Sequence, residues 1–157
     1  MTENFNVGRT MHRLQLQILT EGVEEPVLDR ALLARWIESV AQAHGHEAAE
    51  LTYIFCDDAR IIEVNRQYLQ HDYYTDIITF DYTRGRRLRG DMYISLDTVR
   101  TNAEERGIPY ERELLRVIIH GVLHLCGIDD KGPGQREIME SHEDKSLEIL
   151  NQLTDNQ

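Results

Sequence analysis

Between residues 12 and 20 the chain alternates, with Leu14, Leu16 and Ile18 on one side and Arg13, Gln15 and Gln17 on the other. A period of two predicts a half-buried strand. Glu24 to Val27, with Pro26, reads as a turn. Asp29 then stands where an N-cap belongs, ahead of Leu32, Leu33, Trp36, Ile37 and Val40 at helical spacing, a pattern that fades near Gly45. Residues 51–56 predict a second strand. Asp57 and Asp58 are placed to cap a second helix, with Ile61, Ile62, Val64 and Tyr68 as its apolar positions. Residues 70–75 form a polar, aromatic loop. Residues 76–82, rich in Ile, Thr, Phe and Tyr, predict a third strand. An Arg-Gly connection leads into a fourth over 89–95. Ser95 or Asp97 caps a third helix that stops at Gly107, with Pro109 just beyond. A helix over about 110–126 carries Glu111 and Glu113 in its first turn, as the helix dipole favours. After an irregular stretch at 131–134, an amphipathic helix spans roughly 135–153. The sum is an α+β fold over residues 1–157 as one domain, a sheet of about four strands with about five helices.

The helix over 110–126 is the one the others are expected to surround. From Val117 to Cys126 it is apolar on nearly every side, which marks a buried helix. Yet it contains His120 and His124, four apart and therefore on one face. A lone buried histidine is ordinarily a hydrogen-bonded core residue. Two at this spacing each need a buried partner, and one shared metal serves both. Gly127 supplies the left-handed residue that ends a helix, and Asp129 and Asp130 follow on the return. Two imidazoles and a carboxylate leave a position open for water, the pattern of a catalytic metal rather than a structural one. The residue after the first histidine is Gly121. In zinc proteases that place holds the Glu that serves as general base.

Composition narrows the class. The 157 residues are 41% hydrophobic and 29% charged, ordinary for a soluble domain, and no apolar run reaches the length of a membrane span. Residues 1–10 are polar and carry no secretion signal. Cys56 and Cys126 both sit in apolar runs and read as buried thiols of a reducing compartment, which places the protein in the cytoplasm, with no membrane partner. The net charge of −11 excludes a broad basic surface for nucleic acid but leaves room for a local one. The densest cations are Arg84, Arg86, Arg87 and Arg89, which read either as a solvated hairpin tip or as a contact for RNA.

Several separated stretches resemble one family. His120-Gly121-Val122-Leu123-His124-Leu125-Cys126-Gly127-Ile128-Asp129-Asp130 is similar to the H-G-x-L-H-L-x-G-x-D-H signature of the YbeY-type metallo-endoribonucleases, and departs from it only at the last place. Asn65-Arg66-Gln67-Tyr68, Asp72 with residues 75–80, and Gly90-Asp91-Met92-Tyr93-Ile94-Ser95 resemble further blocks of that family, in the same order. The resemblance implies a zincin-like fold and one zinc per chain, held by His120, His124 and Asp130. It also implies hydrolysis of single-stranded RNA in maturation of the 3′ end of 16S rRNA and in ribosome quality control. The ribosome or its proteins are then partners, and the protein is expected as a monomer. Asp130 stands where the family has a third histidine, which makes the ligand set harder and leaves other divalent transition metals open. The family's arginine after the Tyr of N-x-x-Y is Leu69 here. Arg66, three residues back and expected on nearly the same helix face, is the candidate replacement as a catalytic cation, or else a solvated helix arginine. Asp76, Asp91 and Asp129 are candidate proton acceptors, each equally suited to capping a turn or orienting a histidine. Two rival readings remain: a zinc metalloprotease-like hydrolase, and a non-catalytic ribosome-associated protein whose metal only holds the fold.

Overall fold

A computed structural model describes residues 14–69 and 75–155. Strand β1 is Gln15–Thr20, helix α1 Arg30–Ala43, β2 Glu47–Cys56 and α2 Asp58–Val64, which runs on as a π-helical turn, Asn65–Leu69. Then come β3 Ile77–Asp81, β4 Arg87–Ser95, α3 Leu96–Arg106, α4 Tyr110–Leu125 and α5 Gln135–Asp155. The expected α+β architecture of four strands and five α-helices is present. The predicted strand over 12–20 starts later, at Gln15, with residues 12 and 13 outside the described residues. β2 starts earlier than its apolar run, because Ala48 and Ala49 are also buried. Most of the predicted loop, 70–74 with Asp72, lies outside the described residues.

The caps follow the sequence. Asp29 accepts from the Leu32 amide at 3.1 Å, and Asp57 from the Arg60 amide at 2.9 Å. Of the two candidates for the third helix, Ser95 is the N-cap. Asp97 instead accepts from the Asp58 amide at 3.0 Å, tying α3 to α2.

The sheet order is β1-β2-β4-β3. β1 and β4 both run parallel to β2, and β3 closes one edge as the antiparallel partner of β4. One face carries Ile18, Leu51, Tyr53, Phe55, Leu88, Met92 and Ile94, and lies under α1 and α4, with α5 across both helices. Two buried donors lock these layers. The Trp36 indole N–H donates to the Ser146 carbonyl at 2.7 Å, and the Tyr53 hydroxyl to the Ile118 carbonyl at 2.9 Å. The other face is covered only in part, where Ile61 and Val64 of α2 pack on Cys56, Ile78, Phe80 and Tyr93. Tyr68, expected among the apolar positions of α2, is mostly exposed and meets the Phe80 ring edge-on.

Helix α4 sits in the middle, as its apolar run requires. Its Gly121 allows it to approach the sheet closely. A Cβ on that residue would come within 2.5 Å of the Met92 sulfur and 3.0 Å of Ile77 Cδ1. Gly121 therefore faces the sheet, and His120, one position back along the helix, points to a different side.

Candidate active site

Two backbone bonds end α4. The Gly127 N–H donates to the His124 carbonyl at 2.9 Å and the Ile128 N–H to the Leu123 carbonyl at 3.1 Å, with Gly127 at φ 95°. This is the Schellman closure that a left-handed glycine permits. It sends the chain back along the helix, so that Asp130 Oδ2 lies 3.4 Å from His120 Nε2.

Behind His120 runs a buried chain of charges. Glu113 is fully buried and accepts from Arg116 at both oxygens, at 2.8 and 2.5 Å. Arg116 also donates to Glu143 Oε1 at 2.5 Å, and Glu143 Oε2 meets His120 Nδ1 at 2.6 Å. Among the described residues no buried side-chain polar atom lacks a partner, so this chain is closed in the sense that buried charges require. At Arg116, His120 and Glu143 burial disfavours the ion, but the partners outweigh it. Glu113 and Glu143 raise the Arg116 pKa. His120 and Arg116 lower that of Glu143. Glu143, with Asp76 and Asp130 further off, raises that of His120.

With its Nδ1–H given to Glu143, a neutral His120 presents a lone pair on Nε2, and this faces a carboxylate oxygen. Two acceptors at 3.4 Å repel unless a cation lies between them or the imidazole takes a second proton. The donor atoms, imidazole nitrogen and carboxylate oxygen, fit a divalent transition metal.

His120, His124 and Asp130 all line one groove of about 510 Å³, together with Asp76 and, from the π-helical turn, Asn65 and Leu69. Among the described residues, only His120 of the two histidines has a buried partner. His124 is exposed, so the expectation that both need one fails: α4 is buried, but its histidine stripe opens to solvent. Among the described residues, no three His, Cys, Asp or Glu side chains stand close enough to hold a metal ion. Of the three candidate proton acceptors only Asp76 lines this groove. Its pKa is raised by burial, which His120 and Arg116 partly oppose, and Asn102 donates to it at 3.2 Å. Asp129 accepts from the Lys131 amide as a turn cap, and Asp91 lines a different groove on the far face of the sheet.

Arg66 is exposed and not part of the groove wall. Its expected alignment with Leu69 assumed α-helical winding. The segment winds as a π-helix, with more residues per turn, and Asn65 and Leu69, four apart, share the wall of the groove. The hairpin arginines also lie elsewhere. Arg86 donates to the Gly45 carbonyl at 2.8 Å, Arg87 pairs with Glu47 at 3.2 Å and Arg89 with Glu50 at 2.6 Å. Arg84 and Arg89 line the far groove with Asp91, and none of the four lines the groove of His120.

Sequence reasoning missed Glu143 and Arg116. Their signal was present. Glu143 interrupts the stripe of Met139 and Leu147 at spacing four, and Arg116 sits between Leu115 and Val117 in a helix bound for the core. A charged residue on a buried stripe implies a charged partner.

An α+β sheet with a buried helix whose His-x-x-x-His stripe opens onto a groove defines a zincin-like protein. The family model for Endoribonuclease YbeY matches residues 16–151, and the chain belongs to that family. It is similar to the "Endoribonuclease YbeY" of Bacteroides thetaiotaomicron, 63% identical over 128 residues, 82% of this chain and 93% of the relative. The protein of the same name from Porphyromonas gingivalis strain W83 is 46% identical over 136 residues, 87% of this chain and 90% of the relative. The solution structure of TM1509 from Thermotoga maritima matches with a TM-score of 0.61 at 27% identity, covering 90% of this chain and 93% of that one.

Proposed function

We propose that this chain is an endoribonuclease that cleaves single-stranded RNA in the groove of His120. The observation that carries the proposal is the Glu143–His120–Asp130 alignment, in a chain whose family is named for RNA cleavage. His120, His124 and Asp130 would hold one divalent metal, zinc first, with other transition metals open. When bound, the metal supplies Lewis acidity towards a phosphoryl oxygen. The remaining roles belong to the chain itself. Glu143 fixes the tautomer and aim of His120. Asp76, in the groove and with its pKa raised, is the carboxyl best placed to hold or pass a proton. Arg66 is kept as a candidate catalytic cation, and Arg84, Arg86, Arg87 and Arg89 as RNA contacts outside the groove.

The resemblance further implies ribosomal RNA, specifically the 3′ end of 16S rRNA, as substrate and the ribosome as partner. It goes with the whole chain acting as one monomeric cytoplasmic domain. Among the described residues no helix is long and apolar enough to cross a membrane. The protease reading meets a specific obstacle. The place of the protease base is Gly121, where even a Cβ would force Met92 or Ile77 to shift. The test is elemental analysis of the purified protein, then cleavage of single-stranded RNA, double-stranded RNA and casein, each with and without chelator. The expected result is about one metal per chain and chelator-sensitive cleavage of single-stranded RNA alone. Cleavage of casein revives the protease. Metal loss that unfolds the protein, with no RNA cleavage before it, supports the structural-metal reading.

A further inference from the structure

The chain has 28 Asp and Glu against 17 Lys and Arg, so a groove for RNA has to concentrate its cations. The groove of His120 does so. Arg106, Arg116, Lys131 and Arg136 all line it. Arg116 is committed inward, to Glu113 and Glu143. The other three are less buried, and the two arginines among them meet Glu140 only loosely. Arg106 is 3.6 Å from Glu113 and 3.7 Å from Glu140 Oε1. Arg136, its side chain 75% exposed, is 3.7 Å from the same Oε1. The two pairs with Glu140, partly exposed and at 3.7 Å, contribute little to folding, whereas the contact of Arg106 with the fully buried Glu113 is a second, inner hold.

Two features point outward, to an anionic ligand. One carboxylate oxygen lies between two guanidiniums that come from different helices, the end of α3 and the start of α5. A phosphate oxygen fits the same place and offers each arginine a second oxygen as well. Arg136 also occupies the first turn of α5, and Lys131 lies just ahead of it. Cations there work against the helix dipole. Folding gains nothing from them, but they add to the positive potential at the groove mouth.

We propose that Arg106, Lys131 and Arg136 bind backbone phosphates of single-stranded RNA along the groove, with Glu140 giving up the two arginines as phosphate arrives. This rests on the RNA-cleaving reading and names the contacts within it. The neutral bases extend past the rim, while the scissile linkage lies further in, beside His120.

The experiment is a salt titration of binding to fluorescent oligouridylate, with RNA integrity checked on a gel after each point. Arg106→Gln with Arg136→Gln should lower the slope of log Kd against log salt by about 1.4, close to 0.7 for each cation lost on a single strand. Arg136→Lys should keep the parent slope, because charge rather than shape sets it. Glu140→Gln should tighten binding about fivefold, the equivalent of one exposed ion pair at the top of its range. A double variant that melts with the parent yet keeps the parent slope overturns the proposal and leaves the endoribonuclease reading standing. A parent protein that shows no salt-dependent binding to oligouridylate overturns both.

Discussion

Glu143 Oε2 meets His120 Nδ1 at 2.6 Å, joining α5 to α4 and deciding which imidazole nitrogen faces the groove. Glu143 is itself buried and shares Arg116 with the fully buried Glu113. Removing one member of such a set leaves uncompensated charge in the interior. Glu143→Ala should therefore cost about 3–5 kcal/mol, read as a lower midpoint in urea unfolding. Where metal is bound, its affinity should fall about 10–100-fold, since His120 loses the partner that orients it. A variant that unfolds with the parent and keeps its metal affinity would remove Glu143 from the argument.

Gly121 is the second buried constraint. Ala at this place adds helix propensity worth up to about 1 kcal/mol. It also forces a methyl onto Met92 and Ile77, and overpacking costs about 1–3 kcal/mol. The net change should be destabilising by up to about 2 kcal/mol, visible in thermal melting. Gly121→Glu should leave almost no folded protein. A folded, stable Gly121→Glu variant would reopen the protease reading that the packing closes.

The hairpin cations give a smaller effect. Arg86 and Arg87 are engaged by Gly45 and Glu47, and neither lines the groove of His120. Arg86→Glu with Arg87→Glu should weaken RNA binding less than loss of the rim pair does, and most at low salt. Its salt slope should fall by less than that of the Arg106 and Arg136 double variant. A larger fall would move the RNA track from the groove to the hairpin.

The sequence made the elements legible because their signals are local. Asp29 and Asp57 cap as read, Ser95 is one of the two caps offered for α3, Gly107 and Gly127 stop helices, and the apolar run of α4 is central. The histidine pair was legible for the same reason, since spacing four on a helix fixes a shared face. What was not legible depends on contacts between distant segments or on unusual winding. Glu143 lies 23 residues from His120, and only the packing of α5 on α4 brings them together. Nothing in Asn65-Arg66-Gln67-Tyr68 announces the π-helical turn that sets Leu69, and not Arg66, on the groove wall. The hairpin arginines looked like free charge until the register of β2 against β4 set Glu47 opposite Arg87 and Glu50 opposite Arg89.

Alkaline pH tests the core without involving the site. Burial, helped by Asp57 and Glu21, pushes the Cys56 thiol from 9.0 up to about 12. The folded thiol therefore holds its proton more tightly than the unfolded one. The stability this represents is whole below about pH 9 and is lost as pH rises towards 12. Complete ionisation would remove on the order of 4 kcal/mol. Burial raises Tyr53 in the same direction. Stability should thus fall above pH 9, and Cys56→Ala should make that fall shallower. An unchanged alkaline limb in the variant would show that the Cys56 thiol does not contribute to it.

Asp130 carries the last prediction. It faces His120 Nε2 at 3.4 Å from a turn that Gly127 closes, in a place where the resemblance puts a histidine. An aspartate ligand is anionic and hard, while a histidine ligand is neutral and of borderline softness. Carboxylate oxygen suits manganese alongside zinc, whereas three imidazoles narrow the choice towards zinc. Asp130→His should therefore raise the preference for zinc over manganese, read by competition in equilibrium dialysis with elemental analysis. Asp130→Asn keeps the shape but removes the charge, and should weaken both metals. The two variants together separate ligand from bystander. If neither changes metal content or preference while His120→Ala abolishes binding, Asp130 only pairs with the histidine, and the third ligand lies elsewhere on the groove wall.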